Sequence, residues 1–303
     1  MTRTQGAVIR VGFAPDQPWK REGTDLLRAV SGGLLFGVPL LYTMEVWWTG
    51  ARTSPPQTAV VLAALFVPAF VLNKTAGFRQ ARDVRVVDAL ADTVETVAVG
   101  VVVTTLVLVL LRQIRLDTPL AVVVGTVLYE SIPFCLGVGV ARHFLQGTRA
   151  GGDADARPGA HSSRRSQGGE PDALRGTLAD IGATTIGAVF ISLSIAPTDE
   201  VPMIAATMSP QWVLVFIGAS LLVSYAIVFA AGFAGQERRH AQEGVLQNPI
   251  TETVACYLVA LTVAGVTLWL FQRGLDPWSD VVTRVVILGF PAAVGGAAGR
   301  LAV

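Results

Sequence analysis

Long apolar runs constrain this chain more than any other feature of its sequence. Each run has about 20–24 residues, and a helix of that length, rising 1.5 Å per residue, crosses the ~30 Å hydrocarbon core of a bilayer. Charged residues make up only 15% of the chain, whereas soluble domains contain about 25%. We therefore predict an all-α fold, a polytopic transmembrane bundle of about eight helices. The predicted spans are residues 27–48, 57–76, 88–111, 119–142, 176–196, 210–233, 250–271 and 281–301.

Basic residues in the loops predict the orientation of these helices. They are frequent in the N-terminal arm and in every second loop after it, and scarcer in the alternate loops. The positive-inside rule then places both termini in the cytoplasm, and an even number of helices agrees with this. The basic residues of the predicted cytoplasmic side are Arg3, Arg10, Lys20, Arg21, Arg79, Arg82, Arg85, Arg149, Arg157, Arg164, Arg165, Arg175, Arg238 and Arg239.

A polar central segment divides the chain into two parts. Residues 146–172 are rich in Gly, Ser, Arg and Asp and contain almost no apolar side chains, so they cannot support a packed core. We predict a flexible cytoplasmic linker there. The predicted organisation is a basic cytoplasmic arm at 1–26, a first four-helix transmembrane repeat at 27–145, the linker at 146–174, and a second four-helix repeat at 175–303.

The two parts share short sequence matches in the same order. Glu-Thr-Val-Ala begins at Glu95 and again at Glu252, and a Pro…Gly…Arg pattern recurs at one constant offset of 158 residues. Similar apolar composition does not explain these matches, so we predict two tandem repeats. Because four spans is an even number, both repeats have the same orientation in the membrane. The recurring pattern consists of Pro133, Gly137 and Arg142 in the first part and Pro291, Gly295 and Arg300 in the second.

Two stretches carry a resemblance to a known family. The segment GGLLFGVPLLYTMEVWW at 32–48 and the Glu-Thr-Val-Ala stretch resemble an uncharacterised family of bacterial integral membrane proteins, a domain of unknown function. The resemblance covers both halves and excludes the arm and the linker. It implies a multi-pass protein of the bacterial inner membrane, and it carries no activity, substrate or site residue.

Glu130 is the strongest candidate for a functional residue. It is the twelfth residue of a 24-residue predicted span and so lies near the bilayer midplane, where a charge costs about 2.5–3.5 kcal/mol on insertion scales. Pro133 has no N–H to donate to the carbonyl of Tyr129, so a free acceptor lies beside the carboxyl group. This pattern is typical of an ion- or proton-binding site. The alternative is a protonated Glu that only holds two helices together.

Four further acidic residues in the spans are candidates for an ion pathway. Glu95 and its counterpart Glu252 are predicted to line a cytoplasmic vestibule or bridge the two halves or, alternatively, to form structural ion pairs, for Glu95 with Lys74. Glu45 lies near the outer end of the first span, where an acidic mouth would concentrate cations and an ordinary interfacial role is the alternative. Asp180 lies early in the fifth span, where it complements the helix dipole or belongs to a pathway.

Other residues of the spans have a structural interpretation. Arg142 and Arg300 end equivalent helices and are interpreted as positive-inside anchors. Small residues at a spacing of four predict close helix packing. These glycines are Gly32, Gly33, Gly37, Gly295 and Gly299.

The sequence contains no motif for catalysis, a cofactor or a metal. Cys135 and Cys256 lie inside apolar runs, and the chain has only three histidines, so neither a disulfide framework nor a metal site is predicted. No nucleophile motif or cofactor fingerprint occurs. We therefore predict no catalytic residue, no cofactor and no enzymatic activity. The net charge of +1 gives no reason to expect a nucleic-acid partner.

The leading functional hypothesis is a small-ion or small-solute channel or transporter. Inorganic cations and protons are its candidate ions, and Glu130 and Glu95 lie in its predicted path. The alternative is a non-transporting membrane scaffold or sensor that uses the basic arm and linker on anionic lipids. A solvent-filled cavity that reaches Glu130 would favour the first class, and a dry interior the second. The predicted partner is the lipid bilayer, and homo-oligomers are compatible with either class.

Overall fold

The structure, a computed structural model, describes residues 18–76, 86–143, 170–231, 233, 248–273 and 277–301. Within these ranges the chain forms helices joined by short turns, and they contain no strand, which confirms the all-α prediction. The helices are α1 (Pro18–Leu41), α2 (Met44–Ala51), α3 (Pro55–Ala76), α4 (Val86–Leu110), α5 (Leu120–His143), α6 (Glu170–Ile195), α7 (Glu200–Ala205), α8 (Pro210–Tyr225), α9 (Pro249–Leu270) and α10 (Trp278–Leu301).

Six stretches of the described helices are long and apolar enough to cross a membrane. Shorter apolar stretches occur in α3, at Pro55–Val71, and in α6, at Asp180–Ile195. Large apolar side chains such as Phe190 (77% exposed) and Leu222 (69% exposed) cover the outer surface of these helices, which lipid tolerates and water would not. The six stretches are Glu22–Leu41, Val86–Leu110, Leu120–Ala141, Pro210–Ala230, Pro249–Leu270 and Trp278–Leu301.

Two helices begin earlier than the predicted domain boundaries. α1 begins at Pro18 and α6 at Glu170, so residues 18–26 and 170–174 are helical. In α1 an ion pair between Asp25 and Arg28, 2.7 Å across one turn, supports this extension. Residues 1–17 of the predicted arm and 146–169 of the predicted linker lie outside the described residues.

The first predicted span is not one continuous helix. The chain leaves the helical conformation at Tyr42 and resumes it at Met44, so the prediction of a single helix at 27–48 is wrong. Pro39, which cannot continue the helical hydrogen-bond ladder, lies less than one turn before the break. The indole N–H of Trp47 donates to the carbonyl of Leu41 at 3.0 Å and so satisfies a backbone acceptor that the break exposes.

The starts of α8 and α9 follow from local sequence. Each helix has proline at its first position, where the missing N–H is harmless. The Ser209 hydroxyl accepts from Trp212 N at 3.4 Å, and the Asn248 side chain accepts from Ile250 N at 3.1 Å. Both polar side chains therefore cap their helices. At its other end α8 continues as a π-helical turn, Ala226–Ala230.

The N-terminal helices α1–α5 and the C-terminal helices α6–α10 pack in the same pattern. α5 contacts α1, α2, α3 and α4, and α10 contacts α6, α7, α8 and α9. Glycines mark both main crossings. A Cβ added to Gly32 of α1 would meet the Gly137 carbonyl of α5, and one added to Gly187 of α6 would meet the Gly295 carbonyl of α10. Close packing at the predicted small residues is therefore confirmed.

Hydrogen bonds join the two sets of helices, one of them at the α1–α2 break. The Tyr42 hydroxyl donates to the Ile287 carbonyl at 2.9 Å, and the Trp212 indole donates to the Leu110 carbonyl at 2.8 Å. One apolar core includes residues of both sets. The described helices therefore form one packed body.

Candidate functional site

Among the described residues, a group of charges between helices surrounds the buried Arg300, near the end of α10. Its side chain is 2% exposed and forms an ion pair with Glu252 of α9. Its Nε lies 3.9 Å from the carboxylate of Asp180 on α6, and its guanidinium lies 5.4 Å from the centre of the Phe229 ring. We call Arg300, Glu252 and Asp180 the Arg300 cluster. A buried guanidinium requires a paired charge and favours an aromatic face. Because Arg300 finds its carboxylates on α9 and α6, the cluster links three helices.

A small cavity lies beside this cluster. It has a volume of about 10 Å³, close to the smallest space that holds one water molecule. Most of its wall is apolar, but four of the residues that line it carry hydroxyl groups, and Arg300 and Cys256 line it as well. These hydroxyl residues are Thr184, Ser224, Thr253 and Tyr257.

The hydroxyl groups of the wall differ in their hydrogen bonding. Thr253 donates to the Pro249 carbonyl at 2.7 Å, and Thr184 lies 3.4 Å from Cys256 Sγ. Ser224 Oγ has no hydrogen-bond partner in the part of the chain that the structure describes. A buried hydroxyl without a partner costs free energy, so the cavity presents an unused polar group to whatever enters it.

Glu130 lies in a different part of the molecule. It is 1% exposed, and no described residue forms a hydrogen bond with its Oε1. Four residues on either side of it, Thr126 packs against Gly50 of α2 and Phe134 against Gly37 of α1. Because these positions share one face of α5, Glu130 faces the α1–α2 break. The cavity beside Arg300 is not lined by it.

The structure thus brings together two of the five candidate residues. Asp180 and Glu252 meet at Arg300, whereas Glu130 is buried among the N-terminal helices. Glu95 on α4 and Glu45 on α2 lie on exposed surfaces. Among the described residues, no group of three or more His, Cys, Asp or Glu side chains could hold a metal ion.

Sequence reasoning missed Glu200 as a buried acidic residue. It begins α7 and is 5% exposed, and its Oε1 accepts a hydrogen bond from Met44 N at 3.2 Å. A carboxylate from the C-terminal helices therefore caps α2 among the N-terminal helices, where the helix dipole favours negative charge. The sequence repeat relates Glu200 to Glu45, because these residues are separated by 155 positions, the same number that separates Gly187 from Gly32.

A Glu200→Ala substitution is expected to lower the unfolding free energy by about 1–2 kcal/mol, since Met44 N loses a charged acceptor. Glu45→Ala, on the exposed side of the same short helix, should cost less than about 1 kcal/mol. Thermal unfolding of the purified protein in detergent compares the two. Equal losses would mean that the contact between α7 and α2 contributes nothing to stability.

These features define the chain as a multi-pass α-helical integral membrane protein. Residues 25–303 match the family described as "putative integral membrane protein (DUF2391)", and the chain belongs to this family. The family resemblance identified in the sequence is thereby confirmed, but the match runs through residues 146–174, so the expectation that it excludes the linker is wrong. No curated protein and no solved structure matches the chain.

Proposed function

We propose that this protein is a channel or transporter for a small ion or small solute in the bacterial inner membrane. The observation that carries the proposal is the Arg300 cluster, a group of ionised side chains between helices, together with the small cavity that Arg300 lines. Ionisable side chains inside membrane spans are costly, and they commonly mark ion and substrate pathways. The Arg300 cluster acts in this proposal as a gate, because its ion pairs join α6, α9 and α10 beside the cavity.

The proposed architecture has eight spans in two tandem repeats of the same orientation. The two shorter apolar stretches, in α3 and α6, supply the seventh and eighth spans. The matching helix contacts of α1–α5 and α6–α10 support the repeat. The residues of the Arg300 cluster also support the repeat. Each has a residue of the same type 155, 157 or 158 positions earlier in the chain. Asp180, Glu252 and Arg300 correspond in this way to Asp25, Glu95 and Arg142.

In this proposal both termini and the gate lie at the cytoplasmic side, and the basic residues of the loops support this orientation. Glu95 then lies at the same side as a vestibule residue, and Glu45 lies at the outer mouth. Glu130 serves as an ion- or proton-binding carboxyl near the midplane. The support for this last role is its burial beside a broken helix, since irregular backbone at membrane depth occurs where helices line a cavity or are covered by protein.

Flux measurements test the proposal directly. The purified full chain is reconstituted in liposomes, and the movement of protons, Na⁺, K⁺ and Cl⁻ is followed against protein-free liposomes. We expect at least one of these ions to cross faster with protein present. If none crosses, a panel of small polar solutes follows in the same liposomes, and a complete absence of flux would overturn the proposal.

The two native cysteines provide a test of the gate. Cys256 lines the cavity, whereas Cys135 packs against Gly100 among the N-terminal helices. A Glu252→Gln/Arg300→Gln double variant removes both charges together, so neither is left buried alone. We expect Cys256 to react about tenfold faster with a small maleimide, because a loss of about 1.4 kcal/mol of closed-state stability has this effect.

Cys135 is the internal control for this labelling experiment. Its reaction rate, read from the same sample by peptide mass spectrometry, should not change. An Asp199→Asn variant disrupts an exposed pair with Arg273 and should leave both rates unchanged. Faster reaction of both cysteines would indicate general loosening, and an unchanged Cys256 would show that the Arg300 cluster does not close the cavity.

The second candidate function is a non-transporting scaffold or sensor. The cavity of about 10 Å³ is too small for a solute larger than water, and Glu130 does not line it. Both observations favour a closed interior. In this case the Arg300 cluster only holds helices together, and the liposomes would show no flux while the protein still binds vesicles that contain anionic lipids.

A further inference from the structure

We propose that the cavity beside the Arg300 cluster binds one small anion, fluoride, and that fluoride is the ion that the protein moves. The inference rests on the proposed function and names its substrate. The groups that hold the anion are the guanidinium of Arg300 and the hydroxyl groups of Ser224 and Tyr257. All three residues line the cavity.

The charge of the cavity wall is positive. Among the described residues that line the cavity, Arg300 is the only one that carries a charge. Its partners Glu252 and Asp180 hold the guanidinium in place but are not among the lining residues. An arginine side chain stays ionised in proteins, and it attracts anions and repels cations, protons included. The cavity therefore favours an anion.

The hydroxyl group of Ser224 supplies an independent indication of a ligand. Ser224 is 7% exposed and lines the cavity, and its Oγ has no partner among the described residues. Tyr257 is also buried and brings a second hydroxyl group to the wall. An anion that leaves water must exchange its hydration for hydrogen-bond donors. The two hydroxyl groups and the guanidinium supply such donors around one space.

The size of the cavity selects among anions. A volume of about 10 Å³ holds a particle of the size of one water molecule. Fluoride has about this size, whereas chloride, nitrate and phosphate are larger. Val228, Ala293 and Ala297 complete the wall, and widening a packed interior costs free energy. An anion that displaces water here forms charge-assisted hydrogen bonds, which are about twice as strong as neutral ones.

Hydroxyl groups distinguish the second repeat from the first. Each residue of the Arg300 cluster has a counterpart of the same type in the first repeat. At the separation of 157 positions that relates Glu252 to its counterpart, Tyr257 corresponds to Gly100. At the separation of 155 positions that relates the two aspartates, Thr184 corresponds to Ala29. Because ion pairs hold helices together without hydroxyl groups around them, these added hydroxyl groups indicate a ligand.

Thermal unfolding of the purified full chain in detergent tests fluoride binding without a flux measurement. Fluoride replaces gluconate at constant ionic strength, and chloride replaces it in a parallel series. At a fluoride concentration ten times Kd, the melting temperature should rise by roughly 2–3 °C, because the ion binds only the folded protein. Chloride should raise it less. No rise with fluoride, or an equal rise with chloride, would overturn the site.

Two serine variants separate the site from a general effect of salt. Ser192 Oγ is also buried without a described partner, but Ser192 does not line the cavity. Ser224→Ala should weaken fluoride binding at least tenfold, because a hydrogen bond to a charged group is lost, and Ser192→Ala should not. Each variant is compared with its own fluoride-free melting temperature, so a change in stability does not enter. Equal fluoride affinity in the two variants would overturn the site.

Fluoride efflux from liposomes tests the second part of the inference. Liposomes loaded with potassium fluoride are diluted into fluoride-free buffer, valinomycin lets K⁺ follow, and a fluoride electrode reports the released ion. Wild type should release fluoride faster than protein-free liposomes. Ser224→Ala should slow this release roughly tenfold, and Ser192→Ala should not. Flux of another ion without fluoride flux would overturn this inference and leave the proposed function standing. The absence of every flux, fluoride included, would instead overturn the proposed function.

Discussion

A Gly295→Ala substitution in α10 is expected to destabilise the protein by about 2–3 kcal/mol or more, although alanine is the better helix former. On an open helix surface the same change stabilises by about 0.5–1 kcal/mol. At Gly295 the new Cβ would meet the Gly187 carbonyl and a side-chain carbon of Ile191. A backbone atom cannot turn away, so α6 and α10 must separate and lose packing along the crossing.

Gly218→Ala in α8 is the matched control, because a Cβ added there meets no atom within 4 Å. It should leave the melting temperature unchanged or raise it. Thermal unfolding in detergent measures both variants, and size-exclusion chromatography reports whether each remains monodisperse. A Gly295→Ala protein as stable as the Gly218→Ala protein would contradict the tight crossing of α6 and α10.

The helical fold was predictable because two kinds of signal are local. Apolar runs of bilayer length predict helices whatever their partners are, and glycines at a spacing of four indicate a close crossing, as at Gly37 and Gly295. The break at Tyr42 was not predictable in the same way. It depends on Trp47, whose indole N–H turns back to the Leu41 carbonyl, and Pro39 alone does not decide between a bent and an interrupted helix.

The candidate site was predictable only in parts. Asp180 and Glu252 were identified because a charged side chain inside or near a membrane span costs free energy. Their meeting at Arg300, however, depends on how α6, α9 and α10 pack. Arg300 itself was interpreted as an anchor, because its position at a helix end fits a snorkelling side chain. The structure places it 2% exposed, so its side chain pairs with Glu252 inside the helix bundle and does not extend to the interface as a snorkelling side chain would. The residues next to an arginine at a helix end do not indicate whether its side chain is buried or reaches the surface.

Removing one charge from the Arg300 cluster is expected to have a larger effect than removing two. Glu252→Gln leaves the buried guanidinium of Arg300 without its closest carboxylate. Loss of one partner from a buried pair costs about 3–5 kcal/mol, whereas replacing both by neutral residues is much less costly. The Glu252→Gln/Arg300→Gln double variant should therefore be more stable than Glu252→Gln alone.

Unfolding measured for wild type, both single variants and the double variant completes a double-mutant cycle. Asp199→Asn serves as the exposed comparison, since the Asp199 side chain is 70% exposed in its pair with Arg273 and such surface pairs contribute less than about 1 kcal/mol. Additive single-variant effects would mean that Arg300 and Glu252 do not interact and would remove the gate from the proposed function. A large coupling energy would show that the ion pair between Glu252 and Arg300 holds α9 to α10, as a gate in the closed state requires.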